Sequence, residues 1–133
     1  MTRILAIILA FGLAAPTHAD DLDPLAEYEW LSRPLVIFAA RADDPRFLRQ
    51  IEMLEAYPED LAERDIVVLT DADPAADGPL RNRLHPRDFA VVLIDKDGSV
   101  ILRKSSPWSV RELSRAIDKT PIRQDEVLEK LGK

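Results

Sequence analysis

Three unbroken apolar runs dominate the chain: Leu35-Val36-Ile37-Phe38-Ala39-Ala40, Ile66-Val67-Val68-Leu69 and Phe89-Ala90-Val91-Val92-Leu93-Ile94. Each has the length of a strand and lacks the polar alternation of a half-wet one, so each reads as a strand covered on both faces. After the first run, Asp43-Asp44-Pro45 caps and starts a helix whose Phe47, Leu48, Ile51 and Leu54 share one face. Tyr57-Pro58 ends it, and a short turn is placed around Leu61 before the second run. Asp71 to Pro79 is rich in Asp, Pro, Ala and Gly and reads as a loop, with one helical turn over Leu80 to Leu84. Asp97-Gly98 signals a hairpin that returns through Val100-Ile101-Leu102. Ser109 and Glu112 form a capping box ahead of a stripe of Val110, Leu113 and Ile117. Thr120-Pro121 begins a last helix to about Leu131, with Leu128 and Leu131 expected to face inward. Upstream, Asp23-Pro24 starts a short helix over Leu25 to Trp30, broken at Ser32-Arg33-Pro34.

The predicted order is β-α-β-loop-β-β-α with an extra C-terminal helix. A crossover helix between two buried strands makes those strands parallel, and the hairpin adds an antiparallel edge. The expected fold class is therefore α/β: a thioredoxin-like, four-stranded mixed sheet flanked by helices. A ferredoxin-like β-α-β-β-α-β arrangement is the nearest competitor, but it needs another strand after Ile117 and no such run is there.

The N-terminus changes the picture of where this domain works. Arg3 precedes the apolar run Ile4 to Ala15, followed by Pro16-Thr17-His18-Ala19 and the acidic Asp20-Asp21. That is the pattern of a signal peptide over residues 1–19, cut between Ala19 and Asp20, with small residues at the −3 and −1 positions. The run is shorter than the roughly 20 residues of a membrane span, although an uncleaved anchor is the competing reading. Residues 20–133 are then expected to form one domain, in the periplasm of a Gram-negative host or otherwise secreted. Eighteen basic residues stand against 24 acidic ones, a formal charge of −6. Cleavage would remove Arg3 alone. Such a balance argues against binding phosphate backbones or anionic membrane surfaces. Cysteine is absent from the sequence, which excludes a disulfide, a thiolate nucleophile and a lipid-modified cysteine.

Five segments together resemble a known family. They are Trp30 to Ala39, Asp44-Pro45 with Gln50, Glu63 to Val68, Val92 to Gly98, and Ile117 to Gln124. The ordered set resembles the bacterial domain-of-unknown-function family 4174, the prokaryotic branch of the DUDES domain, from about Leu25 to Leu128. The resemblance implies a thioredoxin-like fold and secretion, with animal relatives among extracellular-matrix and sushi-repeat proteins. It implies no established activity. In that comparison Asp43-Asp44-Pro45-Arg46 falls where thioredoxins carry Cys-Gly-Pro-Cys, and Ala90 falls where they carry a cis-proline. Thiol-disulfide exchange and peroxidase chemistry are therefore not expected.

Candidate chemistry is sparse. Arg41, Asp43, Asp44 and Arg46 lie at the carboxyl end of the first strand, where α/β sheets hold ligands; a cap with salt bridges is the competing reading. Asp71, Asp73 and Asp77 resemble a calcium loop, but Asn82 stands where a closing Glu is required, so a solvated loop fits better. His85 is the one histidine after Ala19 and is a candidate general base with an acidic partner. However, Ser105, Ser106 and Ser109 lie in no nucleophile motif. Arg81, Arg83 and Arg87 form a basic patch beside His85, able to receive a carboxylate or to sit solvated. Trp30 and Trp108 read as core or lid packing. No catalytic set, cofactor or metal is called for.

The function expected is a non-catalytic binding module for a periplasmic or extracellular protein or peptide, with no nucleic acid partner. A cysteine-independent hydrolase using His85 and an envelope stress or structural protein are the alternatives.

Overall fold

A computed structural model describes residues 23–132. The signal segment and its Ala19–Asp20 cut lie outside them. Four strands form one sheet in the order β2-β1-β3-β4, where β1 is Arg33–Phe38, β2 Ile66–Asp71, β3 Ala90–Ile94 and β4 Val100–Lys104. Strand β1 pairs parallel with β2, Leu35 opposite Val68. It pairs antiparallel with β3, Val36 opposite Val92. Strands β3 and β4 form the hairpin, with a bulge at Leu93/Ile94. Helix α1 (Pro45–Glu55) crosses between β1 and β2, and α2 (Pro58–Glu63) follows it directly. Helix α3 is Pro79–Leu84, α4 Val110–Asp118 and α5 Pro121–Lys130. The architecture is the expected thioredoxin-like one, and α5 occupies the chain where a ferredoxin-like fold would need a strand.

Strand side chains alternate between faces, so β1 and β3 build two cores. Leu35, Ile37, Val91 and Leu93 pack with Leu54 of α1 and Leu113 and Ile117 of α4. Val36, Phe38, Val92 and Ile94 pack on the other face with Leu25 and Leu84. Helix α1 is capped by Asp44, whose carboxylate accepts from the Arg46 N–H. The Ser109–Glu112 capping box is formed in both directions.

Several local expectations fail for physical reasons. Helix α5 presents Arg123 and Glu126 to the protein, so Leu128 and Leu131 face solvent, 47% and 64% exposed. Leu48 is exposed because it follows Phe47 by one residue, about 100° around the helix. The leading helix shrinks to a 3-10 turn at Ala26–Tyr28. Beyond it the chain reverses through Trp30 at φ 64°, whose N–H donates to the Lys96 carbonyl. That turn leaves the indole 66% exposed rather than packed. The turn around Leu61 is a six-residue helix, α2. Strand β2 is only half-buried, because it is an edge strand.

Candidate functional site

Strand β1 ends at Phe38, and the Ala39 N–H continues the ladder to the Asp71 carbonyl. The chain then turns through Arg41 and Asp43, an exposed ion pair at 3.3 Å, into the first turn of α1. Asp44 Oδ1 accepts from the Arg46 N–H at 2.9 Å, and Arg46 Nη2 donates to Asp44 Oδ2 at 2.7 Å. The same Nη2 reaches Asp88 Oδ2 at 3.0 Å, and the guanidinium lies 5.3 Å from the centre of the Phe89 ring. Arg46 thus ties the helix start to the segment leading into Ala90. Its hydrogen bond holds the Asp44 carboxyl below the usual carboxylate range, and the bonds to Asp44 and Asp88 raise Arg46 in return. Charges fixed this way stay ionised near neutral pH and offer no proton for general acid–base work.

The basic patch predicted around His85 is divided. Arg81 turns inward, and its Nη2 donates to the Ala39 and Asp71 carbonyls, both at 3.2 Å, and to Asp71 Oδ1 at 3.0 Å. Its guanidinium sits 5.3 Å from the Phe38 ring centre and cross-links the carboxyl ends of β1 and β2. Arg83 faces Asp23 at 3.5 Å, while Arg87 is exposed. His85 is exposed at the end of α3 with φ 50°, and no acidic side chain bonds its ring among the described residues. Asp71 is spent on Arg81, with the Asp73 N–H also donating to it. Among the described residues no three acidic or histidine groups converge as cation ligands. Ser105 and Ser106 are exposed beyond β4, and Ser109 is bound into its capping box.

The densest polar cluster lies at the opposite end of the sheet, among residues not read as a candidate site from the sequence. Arg33 opens β1 with its side chain fully buried. Its Nε donates to Asp95 Oδ1 at 3.1 Å, Nη1 to the Arg64 carbonyl at 2.9 Å, and Nη1 and Nη2 to both oxygens of Glu126. Lys96 Nζ bridges Asp65 at 2.7 Å and Glu126 at 2.8 Å. Arg123, also buried, reaches Glu63 and Glu126, while Arg64 grips Asp118 by two bonds of 3.0 Å. Burial raises the Glu126 carboxyl, but hydrogen bonds from Lys96 and Arg33 outweigh it and hold it at about 2. For Lys96 too, burial lowers the ammonium while Asp65 and Glu126 more than restore it. The cluster ties α5 to β1 and β3. A separate clamp joins α1 to the segment leading into α4: Gln50, fully buried, accepts from the Trp108 N–H at 2.8 Å and donates to its carbonyl at 2.9 Å. One signal was available in the sequence, since Arg33 and Asp95-Lys96 directly abut buried strands.

Comparison with known proteins agrees with the fold. A family model described as "Domain of unknown function (DUF4174)" matches residues 24–126. No curated protein matches the chain. Among solved structures, the reduced 2-Cys peroxiredoxin of Plasmodium vivax is similar at a TM-score of 0.59 and 17% identity, covering 77% of this chain and 83% of that one. Chloroplastic thioredoxin z is similar at 0.55 and 21% identity, covering 71% and 81%. A structure described as a malarial protein is similar at 0.54 and 16%, covering 66% and 96%. At these identities the likeness is one of fold.

Proposed function

The chain belongs to the DUF4174 family, and we propose that it serves as an exported, non-catalytic binding module for a periplasmic or extracellular protein or peptide. One observation carries this reading. The corner where a thioredoxin holds its dithiol is here occupied by the Asp44–Arg46–Asp88 bridge, in a chain without cysteine. The scaffold is kept while the reactive position is given over to bonds that fix the backbone. Export is supported by the apolar run Ile4 to Ala15 and the Thr17-His18-Ala19 cut.

The test is expression of the full chain with its own N-terminus in a Gram-negative host, followed by fractionation and capture. The expected product is periplasmic, begins at Asp20, and enriches a specific protein over a variant with scrambled surface charges. Cytoplasmic product that keeps Met1 would overturn the export reading. Turnover of an ester or peptide substrate that disappears in His85→Ala would overturn the non-catalytic one.

A further inference from the structure

The two edges of the sheet are treated differently. Strand β4 is protected in the usual way, by exposed Arg103 and Lys104 and by the bulge in its ladder. Strand β2 carries no Lys, Arg or Pro from Ile66 to Thr70, and its Ile66, Val68 and Leu69 side chains pack against the two cores. Its hydrogen bonding can be followed residue by residue. The Asp65 carbonyl accepts from Arg33 and the Asp71 carbonyl from Ala39, so both point towards β1. Backbone groups alternate sides along a parallel strand, which turns Val67 and Leu69 inward and Ile66, Val68 and Thr70 outward. No partner takes those outward N–H and C=O groups among the described residues.

We propose that the outer edge of β2 is a docking strand for an extended segment of a partner protein that carries basic residues at both ends. This rests on the binding-module reading and assigns its surface. The charge at the ends of β2 selects the occupant. Ahead of the strand, Glu63 and Asp65 flank Arg64, which is turned to Asp118; Asp71 ends the strand on Arg81, and Asp73 and Asp77 follow it. Asp65 is half-exposed despite Lys96, and Asp73 and Asp77 are exposed without an ion pair among the described residues. A second copy of this chain fits poorly, because antiparallel pairing sets the Asp65 end of one β2 against the Asp71–Asp73 end of the other. Like charges opposed across a strand pair are destabilising. A partner segment must instead span about 20 Å between its basic ends, six residues at roughly 3.3 Å each.

The test uses synthetic peptides and amide hydrogen exchange on the full chain. The probe is acetyl-Lys-Arg-Thr-Val-Thr-Val-Thr-Val-Arg-Lys-amide. Its controls are the same peptide with Glu at the four basic positions and the same peptide with alternate amides N-methylated. In the free protein the Ile66, Val68 and Thr70 amides should exchange at least tenfold faster than Val67 and Leu69. The basic peptide should slow those three at least tenfold and bind at least tenfold tighter than either control. The variant Asp73→Lys with Asp77→Lys, both changes at exposed positions, should lose at least threefold in affinity. Slow exchange of the three amides in the free monomer would overturn the proposal, as would protection that appears only on self-association. Equal binding of the Glu-ended peptide would overturn the stated chemistry. A captured partner that leaves the β2 amides unprotected would overturn the edge assignment while leaving the binding-module reading intact.

Discussion

Replacing Glu126 by Gln tests the charge cluster where it is most concentrated. Glu126 receives both terminal nitrogens of Arg33, at 3.1 and 3.2 Å, and Lys96 at 2.8 Å. Gln keeps the shape but removes the charge that offsets a fully buried guanidinium. The size of the loss follows from the carboxyl itself, whose proton affinity falls from 4.5 to about 2 on folding. At about 1.36 kcal/mol for each pH unit, the charged form contributes about 3 kcal/mol to the folded state. Breaking a buried ion pair by removing one partner costs a similar amount, about 3–5 kcal/mol, and Asp95 remains to hold Arg33, which favours the lower figure. The folded-state value is depressed, so this stability is present above pH 5 and is lost as pH falls towards 2. Urea unfolding followed by circular dichroism should give a midpoint about 1–2 M lower for Glu126→Gln at pH 7, with an unchanged slope. The gap should close to under about 1 kcal/mol at pH 2. A cost below about 1 kcal/mol at pH 7, or the same cost at both pH values, would refute the reasoning.

Three further substitutions separate the other elements. Gln50→Leu strands the Trp108 N–H and carbonyl in the interior; unfolding should show a loss of about 2–3 kcal/mol, with Trp108 fluorescence shifted to the red. Gly98→Ala places a Cβ 3.3 Å from Glu29 Oε1 at φ 87°, and calorimetry should find the melting temperature lowered by the equivalent of about 1 kcal/mol or more. Leu128→Gln should move stability by less than about 0.5 kcal/mol in the same assay, because that side chain faces water; a loss of several kcal/mol would return α5 to an inward-facing apolar role.

Patterns with a short period were legible in the chain. The three apolar runs became β1, β2 and β3, the Asp-Gly pair became the β3–β4 turn, and Asp44 and Ser109 cap the helices they were expected to start. Contacts that depend on tertiary approach were not legible. Leu128 and Leu131 sit at helical spacing, yet α5 docks through Arg123 and Glu126 because the sheet end it meets is lined by Arg33, Asp95 and Lys96 rather than by apolar side chains. Arg81 reads as one of three arginines in a polar stretch, and nothing local reveals that carbonyls at the ends of β1 and β2 lie within its reach. Periodicity reports which face is apolar, but it cannot report a face whose partner is ionic.

The segments by which the chain resembles its family have a physical meaning that their sequence alone conceals. Arg33, Arg64, Asp65, Asp95, Lys96, Asp118 and Arg123 all lie within those segments, and all belong to the cluster at the amino end of β1. Gln50, which stands apart from the other marks, is the clamp between α1 and the start of α4. These residues hold the helices to the sheet. At the other end, Arg46 ties the start of α1 to Asp88, and Arg81 ties the end of β1 to the end of β2. Both ends of the sheet are therefore bound largely by internal ion pairs, and the outer groups of β2 are unmatched among the described residues. An unmatched strand edge is the place where the proposed recognition through backbone hydrogen bonds would act.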